Sequence, residues 1–263
     1  MSKKTTMKSI VPFFSFVVVF LAHFPMLSSA LTATNVKTQN AVLKYFDLKG
    51  AAETCRILLA IGGEDYDDAR YQFDPATFKS PVFEAAKESG ELKVNLNRAP
   101  VLVTSDGTTI GQSKAIERYL AKRFGLMGTT PEEEAIIDCI AEHCRDVKDA
   151  ASRKGFSQFA RDKTEDEKAI ARVEWFDEGL PTMLDKIDDC VKSISTEEGC
   201  SVGSSISYAD VTIWSLLRDC SPSDAEDTAK AATECKTLNC IADAVAAHPG
   251  VSKWIENRPE SMF

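Results

Sequence analysis

The chain has 263 residues but only three histidines and three tryptophans, and none of its eight cysteines stands in a C-x-x-C pair. So few histidines argue against a multi-histidine metal enzyme. The missing C-x-x-C argues against a dithiol redox site or a paired zinc knuckle. Positive charge is not in excess either: 31 Lys and Arg face 40 Asp and Glu, a net charge of −9. That balance argues against a nucleic-acid binder, which needs a basic face. There is no internal repeat and no low-complexity block, and an apolar fraction of 44% is that of a globular chain rather than a disordered or collagen-like one.

Long apolar runs are missing beyond residue 30, but one stands before it. Residues 1–30 carry three Lys and no acid, Ile10 to Leu27 is nearly all apolar, and Ser28 and Ala30 are small. A basic start, an apolar middle and small residues at the end are the marks of a secretory signal, with cleavage expected before Leu31. A retained membrane anchor is the competing reading, since 18 residues can just span a bilayer, although Pro12, His23 and Pro25 weaken such a span. An organelle-targeting leader is a third. Without residues 1–30 the chain keeps 28 basic and 40 acidic residues, a net −12. All eight cysteines remain. An even number behind a leader permits disulfides, but a chain of this size does not need them, and free buried thiols are the simpler expectation. Cys139, His143 and Cys144 cluster on one predicted helix without the fourth ligand a zinc site needs; no metal is expected.

After a polar linker over 31–40, Ala41 to Phe46 reads as a strand with Leu43 and Tyr45 on one face. A largely apolar helix over Ala51 to Ile61 stops at Gly62-Gly63. Ala69 to Phe73 suits a second strand, and a helix is expected near 80–89. Val101 to Thr104 and Thr108 to Ile110 flank Ser105-Asp106-Gly107 as a hairpin. A helix over Ser113 to Phe124 follows, with Ile116, Tyr119, Leu120 and Phe124 on one face.

The second half is helical throughout. Thr130-Pro131-Glu132-Glu133 is a helix start, after which Ile136, Ile140, Cys144, Val147 and Ala151 recur at helical spacing. Thr164 to Glu167 opens a helix bearing Val173, Phe176, Leu180, Leu184, Ile187 and Val191, with a kink expected at Pro181. Ser207-Tyr208-Ala209-Asp210 starts another, ending near Arg218; Lys236 to Ala247 and Val251 to Asn257 are also helical in pattern. The fold class expected is α/β plus all-α: an α/β domain over 41–126, then an all-helical domain over 130–263.

Three places can carry chemistry. Gln112-Ser113 sits where a strand turns into a helix, and a helix start offers free N–H groups and a positive dipole end to a carboxylate; the plain alternative is that Ser113 only caps its helix. A cis Pro100 would turn the backbone of Ala99 toward an extended, peptide-like ligand, while a trans proline is equally at home before a strand. Tyr45 can donate its phenolic O–H to a bound anion, or be a core residue only.

Taken together, these segments resemble the soluble glutathione S-transferase family, most nearly its sigma-like members. The resemblance rests on Leu43-Lys44-Tyr45-Phe46 with Gly50, Ala52 and Glu53, on Ala99-Pro100-Val101-Leu102, and on Gly111-Gln112-Ser113 with Ala115-Ile116. Ser207-Tyr208-Ala209-Asp210, His248-Pro249 and Ile255-Glu256-Asn257-Arg258-Pro259 extend it over about 41–260. It implies a thioredoxin-like domain followed by a helical domain, and transfer of glutathione, as co-substrate without any bound cofactor, to hydrophobic electrophiles in detoxification. Tyr45 would hydrogen-bond the glutathione sulfur and favour the thiolate, which is the nucleophile. Ala99 and Pro100 would pair with the cysteinyl unit, Gln112 and Ser113 would bind the γ-glutamyl group, and Asp146 would reach its amine across a homodimer. Lys93 would stand near the glycyl carboxylate, with Lys79 as competitor.

Departures are Ala51 in place of a common Arg, Arg98 in place of a common Gln, a longer segment over 74–98 and the absence of the family Trp before Pro100. Cys55, ten residues beyond Tyr45, lies inside the first helix rather than at the strand–helix junction where a cysteine nucleophile stands in other members. Two alternatives stay within the resemblance: a glutathione-dependent isomerase of the prostaglandin-synthase kind, and a glutathione-binding, crystallin-like protein with little catalysis. A thiol–disulfide enzyme is disfavoured by the missing C-x-x-C. The leader implies the secretory pathway if functional, a cytoplasmic or organellar place otherwise, and membrane contact only if it is retained.

Overall fold

The computed structural model describes residues 40–158 and 160–261, so the leader expected over 1–30 and nearly all of the linker lie outside the described residues. Strand β1 (Ala41–Phe46) alternates as its sequence asks. Ala41, Leu43 and Tyr45 join the large core, while Phe46 turns to a smaller cluster with Tyr71, Phe83 and Leu92. The Phe46 and Phe83 rings lie 4.7 Å apart between centroids.

Strand β2 (Tyr66–Tyr71) runs parallel to β1, with Ala41 opposite Tyr66 and Phe46 opposite Tyr71. It begins three residues before the expected Ala69 and ends two before Phe73. Asp67 and Asp68 are poor strand formers, but pairing with β1 carries them, and Asp68 is held by Arg56 at 3.1 Å and Arg70 at 2.7 Å. Strands β3 (Val101–Val103) and β4 (Thr109–Gly111) form the expected hairpin, giving a mixed sheet in the order β2-β1-β3-β4. Between β1 and helix α1 (Glu53–Gly62) the chain makes a short 3-10 turn over Gly50–Ala52, so the helix starts two residues later than expected. Helices α2 (Pro81–Ser89) and α3 (Ser113–Arg123) complete this half.

Helix α4 (Pro131–Lys154) opens on Thr130, whose hydroxyl accepts from the Glu133 N–H at 3.1 Å. Helix α5 (Glu165–Glu174) opens on the reciprocal Thr164–Glu167 capping box. The kink expected at Pro181 is taken up one turn earlier: a π turn over Trp175–Gly179 joins α5 to α6 (Leu180–Ile194). Its extra residue shifts the apolar stripe. Into the turn the buried pair is Ala171 and Trp175; from Phe176, inside it, the stripe runs on through Leu180, Leu184, Ile187 and Val191. Val173, expected on that stripe, falls between the two phases and is 59% exposed.

Helix α7 (Tyr208–Leu217) is buried along its whole length. Helix α8 (Ala225–Ala231) has no counterpart in the sequence reading, α9 (Lys236–Ala247) matches its expected span, and α10 (Pro249–Asn257) begins two residues before the expected Val251. One continuous core joins α1 and α3 to α4, α6, α7 and α9. At the α1–α10 crossing a Cβ on Gly250 would come within 2.0 Å of the Ala60 carbonyl oxygen, so only glycine allows that approach.

All eight cysteines are free thiols. The expectation that they are buried holds for Cys55, Cys144 and Cys235, whereas Cys139 is exposed with its Sγ 3.4 Å from His143 Nε2. No group of three or more metal-ligating side chains occurs among the described residues. No helix among them is long and apolar enough to cross a membrane.

The start of α7 shows how tightly the helical half is pinned. The fully buried Asp210 carboxylate accepts from Ser201 N–H at 2.8 Å, Ser207 N–H at 2.7 Å and the Ser207 hydroxyl at 2.9 Å. Tyr208 then donates to Glu117 of α3 at 2.7 Å, locking the two halves together. Asp210→Ala strands these donors and is expected to cost about 3 kcal/mol, and Ser207→Ala about 1 kcal/mol, as read by denaturant unfolding.

Candidate functional site

The sheet register assembles the site. Lys44 lies opposite Val101, and Val101 opposite Gly111. Tyr45, Pro100 and Gln112 each stand one residue beyond those paired positions, so three distant stretches of sequence come to the same end of the sheet. The Ala99–Pro100 peptide bond is cis.

Tyr45 is half-buried, and its phenolic oxygen accepts a hydrogen bond from the Ala51 N–H at 3.1 Å. That bond fills an acceptor position of the hydroxyl and leaves its hydrogen free to donate outward. The approach depends on Gly50, whose φ is +43° and where a Cβ would stand 2.7 Å from the Tyr45 hydroxyl oxygen. The 47–51 loop is clamped from beneath. The Arg56 guanidinium, fully buried, donates to the Leu48 carbonyl at 2.8 Å and the Lys49 carbonyl at 3.3 Å. From the other side, the Lys49 N–H donates to Ser261 Oγ at 3.1 Å and its ammonium lies 3.4 Å from Asp219.

Arg56 is balanced by Asp68 and by Glu53 at 3.2 Å. Glu53 also receives Trp254 Nε1 at 2.7 Å from α10 and Arg258 at 2.8 Å from the residue that ends it. Burial alone would push the Glu53 carboxyl up. The hydrogen bonds from Trp254 and Arg258 and the charge of Arg56 outweigh it and hold the group below its ordinary value.

Gln112 has a φ of +67°, and its carbonyl accepts from the Ala115 and Ile116 N–H groups, both at 3.0 Å. The backbone of Gln112 therefore starts α3. Ser113 is the first helical residue, so it is not the cap, and no hydrogen bond occupies its hydroxyl among the described residues. Lys93 is exposed on a 3-10 turn over Lys93–Asn95, its aliphatic chain lying over Gly90. Lys79 is exposed as well, and neither lysine has an ion-pair partner among the described residues. Asp146 stands exposed on α4 in a separate crevice with His143 and, from α6, Met183 and Lys186. One chain thus unites Tyr45, Ala99, Pro100, Gln112 and Ser113 and leaves Asp146 apart from them.

Cys55 cannot serve as nucleophile. It is fully buried, and burial, reinforced by Glu117, pushes its thiol well above the ordinary range. A cavity of about 200 Å³ opens in the helical half, with Val147, Ala151, Phe156, Trp175 and Leu180 among its walls. Lys148 and Asp219 give it polar edges. Sequence reasoning missed Arg56, Asn95 and the Ala51 N–H as parts of the site. An arginine inside the apolar α1 segment was the one signal available for the first; a backbone N–H gives none.

The four-stranded mixed sheet with its cis-proline, followed by helices alone, is a thioredoxin-like domain joined to an all-helical domain. Residues 41–122 match the family model described as "Glutathione S-transferase, N-terminal domain", and residues 150–258 that of the "Glutathione S-transferase, C-terminal domain". The chain is 30% identical over 227 residues to hematopoietic prostaglandin D synthase of Gallus gallus, covering 85% of this chain and 99% of that one. It is also 30% identical over 231 residues to glutathione S-transferase 1 of Ascaris suum, covering 84% and 98%. The crystal structure of monomeric Na-GST-3, a glutathione S-transferase of Necator americanus, superposes with a TM-score of 0.65 at 27% identity, covering 85% of this chain and all of that one. The chain belongs to the glutathione S-transferase family and is, in that general sense, a glutathione transferase.

The charge network under the loop makes its own prediction. A carboxyl whose folded pKa is depressed stabilises the fold above its unfolded value, near 4.5, and loses that contribution as pH falls through the lower folded value. Glu53→Gln is expected to lower stability at neutral pH by about 3 kcal/mol, since Arg56 loses a buried counter-charge. Urea unfolding at neutral pH and in acid checks this: the gap to wild type should narrow in acid.

Proposed function

We propose that this chain conjugates reduced glutathione to hydrophobic electrophiles, with the Tyr45 hydroxyl donating to the glutathione sulfur. The observation that carries the reading is the Ala51 N–H bonded to the Tyr45 oxygen, which fills an acceptor position and leaves the hydroxyl hydrogen free to donate, at the end of the sheet shared with Pro100 and Gln112. A donor there favours thiolate over thiol; an unperturbed thiol has a pKa of about 8.5, so even a modest lowering enriches the nucleophile at neutral pH. The thiol proton leaves to solvent, the sulfur forms the new C–S bond, and the leaving group departs with its electron pair.

Ala99 and Pro100 hold the cysteinyl backbone in this scheme. Gln112 and Ser113, at the N-terminus of α3, hold the γ-glutamyl carboxylate, and Lys93 approaches the glycyl carboxylate. Asp146 takes part only from a second copy of the chain, so the reading includes a homodimer. The electrophile occupies the apolar cavity beside α4. Glutathione is a co-substrate here, and no step calls for a metal or a resident cofactor. A functional leader puts this chemistry in the secretory pathway.

A second reading, a glutathione-dependent isomerase, draws support from the 30% identity to the chicken prostaglandin D synthase over nearly its full length. The same thiolate would serve both reactions, and an endoperoxide panel separates them.

The purified full chain, assayed with glutathione and a chromogenic aryl halide, is expected to turn over. Tyr45→Phe is expected to lower kcat/KM by about tenfold to a hundredfold, the loss of one hydrogen bond to a charged atom, and to move the pH profile up toward the free thiol. Turnover equal to wild type would sink the Tyr45 mechanism. Retention on a glutathione column with no turnover would point to a binding protein.

A further inference from the structure

Asn95 has no counterpart among the sequence motifs, yet it is 3% exposed and lies between the two segments that form the site. The chain reaches it through the Lys93–Asn95 turn and then reverses through Leu96 and Asn97, both left-handed at φ of 52° and 60°. This reversal turns the Asn95 side chain inward. Its Nδ2 donates to the Pro100 carbonyl at 2.9 Å, and its Oδ1 accepts from the Gln112 N–H at 3.0 Å. A carbonyl on one side and an N–H on the other fix which way the amide faces.

Gly111 leaves room for this contact, since a Cβ there would lie 2.7 Å from Asn95 Cβ. Gln112 itself holds a φ of +67°, an uncommon conformation for a residue with a side chain, and the bond from Asn95 fastens its N–H there. Donor and acceptor in one short, planar group is a property of a side-chain amide; a carboxylate or an alkyl group of that size offers at most one of the two bonds.

We propose that Asn95 is a positioning residue for glutathione, one amide that sets the spacing between the Ala99–Pro100 segment and the Gln112–Ser113 helix start. The inference rests on the reading that these two segments hold the cysteinyl and γ-glutamyl units of one glutathione. A ligand that bridges two loops binds well only if their separation is held to within about 0.5 Å. Asn95 touches neither the ligand nor the sulfur in this arrangement, so it acts on glutathione affinity and leaves the electrophile site alone.

The test measures binding of reduced glutathione by titration calorimetry, using the full chain as wild type, Asn95→Ala and Asn95→Asp, at about pH 5 and about pH 8. Asn95→Ala is expected to weaken glutathione binding about tenfold at both, with the aryl-halide KM changed less than about twofold. Asn95→Asp separates positioning from mere support. Its carboxylate accepts from Gln112 but cannot donate to Pro100, so binding at about pH 8 is expected to be about tenfold weaker than wild type. Once protonated, the acid makes both bonds, and the ratio to wild type is expected to recover toward unity at about pH 5. An Asn95→Asp ratio that stays flat with pH overturns the proposal, and this variant decides alone if Asn95→Ala does not fold. Variants that melt earlier yet bind glutathione like wild type overturn it too. Failure of wild type itself to bind glutathione would remove the underlying reading, an outcome distinct from wild type binding while the variants match it.

Discussion

A guanidinium buried without water must satisfy every donor it carries, and in this protein that requirement organises the site. Arg56 sits on α1 with nothing exposed, and its partners come from three directions: Glu53 on its own helix, Asp68 on β2, and the carbonyls of Leu48 and Lys49 in the loop above. The loop so fastened is the one whose Ala51 N–H meets the Tyr45 hydroxyl. Glu53 carries the constraint onward to Trp254 and Arg258, so the end of the C-terminal helix and the 47–51 loop share one network of charge. Removing any member leaves another buried and unpaired, which is why such a network persists even though its net contribution to stability is small.

The site itself is an outcome of sheet pairing. Antiparallel β3 and β4 return the chain beside β1, and the register puts Tyr45, the cis Ala99–Pro100 bond and the start of α3 in one row. Each contributes what its place offers. The end of β1 gives a hydroxyl, a cis bond before β3 gives turned-out backbone, and the start of α3 gives N–H groups and a dipole. Asn95 ties the last two together from behind. The helical half supplies an apolar cavity and a buried capping motif that docks α7 on α3 through Tyr208 and Glu117.

Family membership and the chain's own departures bear on different parts of this picture. The corner around Tyr45 keeps the tyrosine, the Gly50 beside it and the Ala51 N–H that meets its oxygen. The sequence differs where the glycyl end of glutathione would lie: Ala51 offers no cation, Arg98 is exposed, and Lys93 and Lys79 both stand free in solvent. The cysteines, read first as a potential framework, take no part. All are free, and Cys55, the one inside the first helix, is sealed from substrate and from base alike.

Much of the fold was legible because its signals are local. The alternation of β1, the Thr130 and Thr164 caps and the 3.6-residue stripes of α3, α4 and α9 are each written within a few neighbouring residues. Tyr45, Pro100, Gln112 and Ser113 were legible as a family pattern. The elements that moved were those fixed by partners far away in sequence. Strand β2 was drawn back to Tyr66 by its pairing with β1, and Val173 was turned outward by the π turn that accommodates Pro181. Sequence alone therefore determined the order of the strands and of every helix but α8, and the family to which the chain belongs, because those depend on residue type and short-range spacing. Only the tertiary structure decided that Ala51 serves Tyr45, that Arg56 holds their loop and that Asn95 joins Pro100 to Gln112. Those bonds run between backbone and side chains that meet through sheet register and helix packing, where sequence distance carries no information.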